Sequence, residues 1–244
     1  MYLPKRTFIN LGIGALILIT AFITIIAVRN YLPWTVSRVG SPYYQGCSDQ
    51  KIIAFTFNVD WGEEYLPKVL EILKDENIKA TFFITGRWAE KHPDLVKSIA
   101  QNGNEIGNHG LKHQHLKDLS QEQLVNEIKG GEQVLQGITG KRPRLFAPAF
   151  GEYNSVIGEV AASADCDIIM WSLDTIDWQN PDVNTIISRV VPRIHNDAII
   201  LMHPTDPTVK ALPEMIKQLK SEGYKFSTVS KIIKPSPINK KTAR

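Results

Sequence analysis

Residues 197–203 read DAIILMH, a short run that is apolar throughout and ends on a histidine. An apolar stretch of this length without polar alternation fits a strand buried on both faces, which is the situation of a parallel sheet covered by helices. Working outward, similar β-rich runs occur at 51–59 (KIIAFTFNV), 79–85 (KATFFIT), 104–110 (NEIGNHG), 144–150 (RLFAPAF), 166–174 (CDIIMWSLD) and 224–230 (YKFSTVS). Between them lie helical patterns. In EEYLPKVLEILKDENI, Leu66, Val69, Leu70 and Leu73 share one face, and SQEQLVNEIKGGEQVLQGITG opens with Ser120 three residues before Gln123, a capping-box spacing. About seven strands alternating with about six helices predict an α/β fold with a parallel sheet inside and helices outside. Periodicity leaves a barrel and an open doubly wound sheet equally open.

Both architectures place chemistry at the carboxyl ends of the strands. There the sequence offers Asn58, Asp60 and Trp61 after the first run, His109 and His113 after the third, Phe150 after the fourth, Asp174, Asp177 and Trp178 after the fifth, and His203 after DAIILM. His109 and His113 are spaced to face one ion in a turn, and Asp60 would complete a His–His–carboxylate set suited to Zn²⁺ or a related divalent metal. Such an ion lowers the pKa of bound water and so supplies hydroxide near neutral pH. His203 is the candidate proton donor, with Asp174 expected to fix its ring. Trp61, Phe150 and Trp178 offer flat apolar faces at the same rim.

The 244 residues carry 28 Lys plus Arg and 25 Asp plus Glu. Lys5, Arg6 and Arg29 are the only charges before Asn30, so the remainder is balanced and shows no basic stripe of the kind nucleic acid requires. Mean hydropathy of −0.14 excludes a polytopic membrane protein, and 43% hydrophobic residues exclude a disordered chain. One run stands apart: Phe8 to Val28 is uncharged, flanked by basic residues, and at ~1.5 Å per residue long enough for a bilayer core. It is longer than a signal-peptide core and lacks a small-residue cleavage pattern. The expectation is an uncleaved anchor over 1–29, a stem over 30–50, a domain over 51–235 outside the cytoplasm, and a basic tail over 236–244. Cys47 and Cys166 leave a disulfide and two free thiols both open.

These residues resemble the NodB-type polysaccharide deacetylases (carbohydrate esterase family 4). TFNVDWG at 56–62 resembles the family's T-F-D-D-G, NHGLKH at 108–113 its H-[ST]-x-x-H, and LFAPAFGEYN at 145–154 its R-x-P-[YF]-G. DTIDW at 174–178 is similar to D-x-x-D-W, and LMH at 201–203 to L-x-H. The anchor and the WGEEY wording look most like the sporulation-associated branch. The resemblance implies a distorted (β/α) barrel and removal of N-acetyl groups from a peptidoglycan or chitin-like glycan. It also implies Zn²⁺, Co²⁺ or another divalent metal, held by Asp60, His109 and His113. It further implies an acid at His203, a base aspartate at position 58, and an arginine at 147 paired with that base.

The sequence departs from the pattern at two linked places. Asn58 stands where the base is expected and Ala147 where its arginine is expected. An amide cannot accept a proton near neutral pH, and an arginine without its carboxylate would be an unpaired charge, so the two changes are physically coherent. Asp60 is displaced by one position from the second aspartate of the motif. In a strand that shift reverses the side chain, unless a bulge or the strand's end restores it. Gly110 replaces the family's Ser or Thr. The sequence therefore supports two readings: a deacetylase with a rearranged site, or a glycan-binding protein on the same scaffold.

Overall fold

A computed structural model describes residues 41–233. The expected anchor and basic tail lie outside the described residues, and among the described residues no helix is long and apolar enough to cross a membrane.

Among the described residues, eight strands form one parallel sheet: β1 (Ile52–Val59), β2 (Thr81–Ile84), β3 (Glu105–Asn108), β4 (Leu145–Phe146), β5 (Asp167–Ile168), β6 (Leu173–Asp174), β7 (Ile199–Met202) and β8 (Lys225–Ser227). Their order is β5-β4-β3-β2-β1-β7-β6, with β8 paired to the start of β1. The helices are α1 (Leu66–Asp75), α2 (Gly86–Lys91), α3 (Pro93–Gln101), α4 (Gln121–Thr139), α5 (Ser155–Ser163), α6 (Val183–Val190), α7 (Asp206–Ser221) and α8 (Val229–Ile232). The strand runs at 51–59 and 197–203 behave as their composition dictates. Val59 and all of Ile199–Met202 are buried, and Phe57 stacks on Phe82 across β1 and β2 at 4.8 Å.

One expectation changes. CDIIMWSLD is not one strand: Asp167–Ile168 pairs with β4 at one end of the sheet order, whereas Leu173–Asp174 pairs with β7 at the other. The chain crosses between those ends through Ile169–Ser172. Residues 86–101 form two helices, interrupted at His92, because Pro93 cannot donate the hydrogen bond that would continue α2 and instead opens α3. Two residues of the expected stem bridge to the sheet, Tyr43 at Ile169 and Gln45 at Ala198. Cys47 is exposed, Cys166 is buried, and both are free thiols.

The capping box expected at Ser120 forms in full: its hydroxyl accepts from the Gln123 N–H, and the Gln123 side chain accepts from the Ser120 N–H. It starts the 19-residue α4, whose Ile128 carbonyl accepts a 2.7 Å bond from the buried Asn108 amide. Asn108 also accepts from the Gly110 N–H at 2.9 Å, pinning the turn that carries His109. Gly110 sits at φ +89, and a Cβ there would lie 2.7 Å from the Glu127 carboxylate. The serine or threonine of the family pattern therefore does not fit this turn.

Candidate active site

A groove of about 600 Å³ opens at the carboxyl ends of the strands. Asn58, Asp60, Trp61, His109, His113, Phe150, Asp174, Trp178 and His203 all line it, joined by Trp171, Gly151 and Leu201. The shifted aspartate is resolved by the end of β1. Asn58 and Asp60 are two residues apart and both reach the groove, while Val59 between them is buried in the core below.

His109 is fully enclosed. Its Nδ1 donates to the Ala147 carbonyl at 2.7 Å, which leaves Nε2 with a free lone pair. Burial, then the neighbouring His113, pushes its pKa down to about 3, so the ring is neutral at physiological pH. His113, at φ +56, stands 5.0 Å from it between ring centroids; burial also lowers its pKa. Two neutral imidazoles thus meet at the groove, in the protonation state a metal would need.

Asp60 is arranged differently. Thr85 Oγ1 and Arg87 Nε both donate to its Oδ1 at 2.7 Å, and an Arg87 terminal nitrogen donates to Oδ2. Burial pushes this carboxyl up, but the Arg87 and Thr85 hydrogen bonds and nearby His113 outweigh it and hold it below the ordinary carboxylate value. Both oxygens are thereby occupied. Among the described residues, no group of three or more His, Cys, Asp or Glu side chains is placed to hold a metal ion. His109 and His113 suit the divalent ion that the family pattern implies. Asp60, as arranged, does not.

On the opposite wall, His203 is held by Asp177 and not, as expected, by Asp174. Asp177 Oδ1 accepts from His203 Nδ1 at 2.7 Å, and its Oδ2 accepts from the His203 N–H at 2.6 Å and the Thr208 hydroxyl at 2.5 Å. The Asp177 side chain is fully buried. The chain turns at Ile176, which adopts φ +50, and this brings Asp177 beneath the histidine. Asp174 instead accepts from the Ile176 N–H at 2.8 Å, and burial raises its pKa. With Nδ1 committed to Asp177, Nε2 is the ring nitrogen left to serve the groove. Trp61 stacks on the same ring, 5.9 Å between centroids and 6° from parallel.

The rim is aromatic and exposed: Trp61 is 42% accessible, Phe150 54% and Trp178 56%. Phe150 adopts φ +58, which sets its ring edge-on to His113 at 4.6 Å and flat against His115 at 4.0 Å. Glu152 secures His115 through Nδ1 at 2.9 Å. Asn58 makes no side-chain hydrogen bond among the described residues and is 93% enclosed at the groove floor.

A parallel α/β half-barrel with paired histidines on one wall and a buried Asp–His dyad on the other defines the class as a hydrolase scaffold. The polysaccharide deacetylase family model matches residues 45–169, and the chain belongs to that family, whose hydrolases act on N-acetyl amide bonds. It is 42% identical over 193 residues to the uncharacterized protein YlxY of Bacillus subtilis (strain 168), covering 79% of this chain and 60% of that protein. It is 35% identical to a peptidoglycan-N-acetylglucosamine deacetylase of Bacillus cereus, covering 77% of this chain and 90% of that one. Among solved structures it is similar to BA3943 of Bacillus anthracis, described as a CE4 family pseudoenzyme, with TM-score 0.78 and 37% identity over 80% of this chain and 69% of the other. A mutant of BA3943 is described as having restored enzymatic activity.

Proposed function

We propose that the groove binds an N-acetylated glycan of the peptidoglycan or chitin-like kind, and that this chain is a base-deficient deacetylase that hydrolyses the acetamide slowly. The observation that carries this is the asymmetry of the two walls. The His203–Asp177 dyad is complete, whereas the groove floor beside His109 presents the Asn58 amide.

Trp61, Phe150 and Trp178 offer stacking faces for sugar rings. His203 Nε2 is set to protonate the departing amine, and Asp177 fixes the orientation of the ring through Nδ1. Asn58 donates or accepts a hydrogen bond but cannot take the proton of an attacking water. Loss of a general base typically slows hydrolysis ~10²–10⁴-fold. Zn²⁺ or Co²⁺ polarises an amide carbonyl when bound in a deacetylase site; here His109 and His113 are the donors free to hold it. In the same reading the apolar run from Phe8 to Val28 anchors the chain, with the groove outside the cytoplasm facing the wall polymer.

The second reading is glycan binding without turnover. It is favoured by the Asp60–Arg87 pair and by the likeness to a pseudoenzyme. Acetate release by the purified full-length chain from N-acetylglucosamine oligomers and peptidoglycan fragments, in saturating Zn²⁺ or Co²⁺, separates the two. The expected result is release above a His203→Ala blank, rising about a hundredfold or more in Asn58→Asp. Glycan binding with no release supports the second reading. Neither binding nor release would refute both.

A further inference from the structure

We infer that Arg87 is a resident counter-ion of Asp60 that competes with a divalent cation for the face formed by Asp60, His109 and His113. This goes beyond the reading above and rests only on the geometry of that face.

Arg87 lies in the first turn of α2, where its backbone N–H donates to the Leu111 carbonyl at 2.8 Å. That bond sets the start of the helix against the turn carrying His109 and His113, so the side chain reaches the rim between the two segments. The planar guanidinium then engages both oxygens of Asp60, a fork geometry that matches a carboxylate. The carboxylate side chain is 8% exposed, while that of Arg87 is 48% exposed. One partner is thus fixed in the groove and the other has room to swing away.

The charges favour exclusion. Asp60 is the carboxylate among the three donors of this face, and both its oxygens already face an always-ionised group. A dication entering beside the guanidinium would meet like charge. One entering in its place must first break the two-point bond. Either way the binding-competent arrangement is a minor one, and the apparent dissociation constant rises by the inverse of its population. Arg87 thereby occupies the role of the cation in a site whose other two donors remain prepared.

The test is metal binding, without glycan or turnover. Zn²⁺ is titrated calorimetrically against the full-length chain with a competing chelator, and Co²⁺ by its visible absorption. Wild type, Arg87→Gln, Arg87→Lys and Arg87→Gln/His109→Ala are compared. Arg87→Gln is expected to bind one ion at least about tenfold more tightly, which is ~1.4 kcal/mol. Arg87→Lys should fall between it and wild type, because a point charge lacks the two-point fit. The gain should vanish with His109→Ala. Equal affinity in wild type and Arg87→Gln would overturn the inference, as would a gain that survives His109→Ala. If Arg87→Gln does not fold, the wild-type chain still decides: the hydrogen-bonded Arg87 Nε–H resonance should be lost as Zn²⁺ is added, and its persistence in the metal-bound protein would overturn the proposal. Because acetate is not measured, failure here leaves the deacetylase reading intact, and failure of that reading leaves this one intact.

Discussion

Replacing Asp177 by asparagine should both destabilise the domain and switch the His203 tautomer. The carboxylate accepts three hydrogen bonds: the His203 N–H, the His203 Nδ1–H and the Thr208 hydroxyl. Two of them converge on Oδ2, so the asparagine oxygen will take that position and its NH₂ will face the ring. The two retained bonds fall from charge-assisted, about 1.5–3 kcal/mol, to neutral, about 0.5–1.5 kcal/mol. The third reverses direction, with the amide donating to Nδ1. Loss of about 1 kcal/mol at each retained bond, plus weakening of the third, gives an expected destabilisation of about 2–4 kcal/mol. Urea unfolding at pH 7 measures it. The reversed bond moves the ring proton from Nδ1 to Nε2, which ¹⁵N shifts of the imidazole report directly. Any turnover should drop in rate constant with little change in KM, because the groove's stacking faces are untouched. A loss below about 0.5 kcal/mol together with an unchanged tautomer would refute the assignment of Asp177 as the group that positions His203.

Three further outcomes follow from local structure. His109 has a pKa of about 3 when folded against an ordinary 6.5, so the unfolded chain binds the extra proton between those values. Stability is therefore retained above pH 6.5 and lost as pH falls toward 3, by about 1.4 kcal/mol per unit from this group. Urea unfolding at pH 6 and pH 5 should show a flatter dependence in His109→Gln, and equal slopes would contradict the enclosure described above. Ser120→Ala removes one half of the capping box of α4 and should cost about 1 kcal/mol, read from the same unfolding curves. Gly107→Ala would put a Cβ 2.3 Å from the Phe83 ring inside the sheet and should cost about 1–3 kcal/mol, with a shifted Phe83 resonance as the local signature.

Much of this fold is legible from apolar runs alone. DAIILM and IIAFTFNV are long enough and apolar enough to announce buried parallel strands, and their ends deliver His203, Asn58 and Asp60 to the rim. The run over 166–174 misleads because β5 and β6 are only two residues each, too short for any period, and the linking Ile169–Met170 are as buried as a strand would be. The choice between Asp174 and Asp177 was equally hidden. Both belong to DTIDW, and what selects Asp177 is the left-handed backbone at Ile176, a conformation a β-branched residue rarely adopts. Arg87 was missed because an arginine at the start of a helical pattern reads as a solvated charge. Its position three residues past the end of β2 was the available signal, but its partner lies 27 residues away.

Among the described residues, eight non-glycine residues adopt positive φ: Asp49, Asn77, His113, Phe150, Asp165, Ile176, Asn180 and Asp197. Five are aspartate or asparagine, which tolerate that region. The other three, His113, Phe150 and Ile176, are in the loops that shape the groove. Each such placement costs on the order of 1–3 kcal/mol, and glycine or asparagine would relieve it. The loops that aim His113 and Phe150 into the groove and bring Asp177 beneath His203 therefore hold their shape against a local backbone cost, which the packing around them offsets.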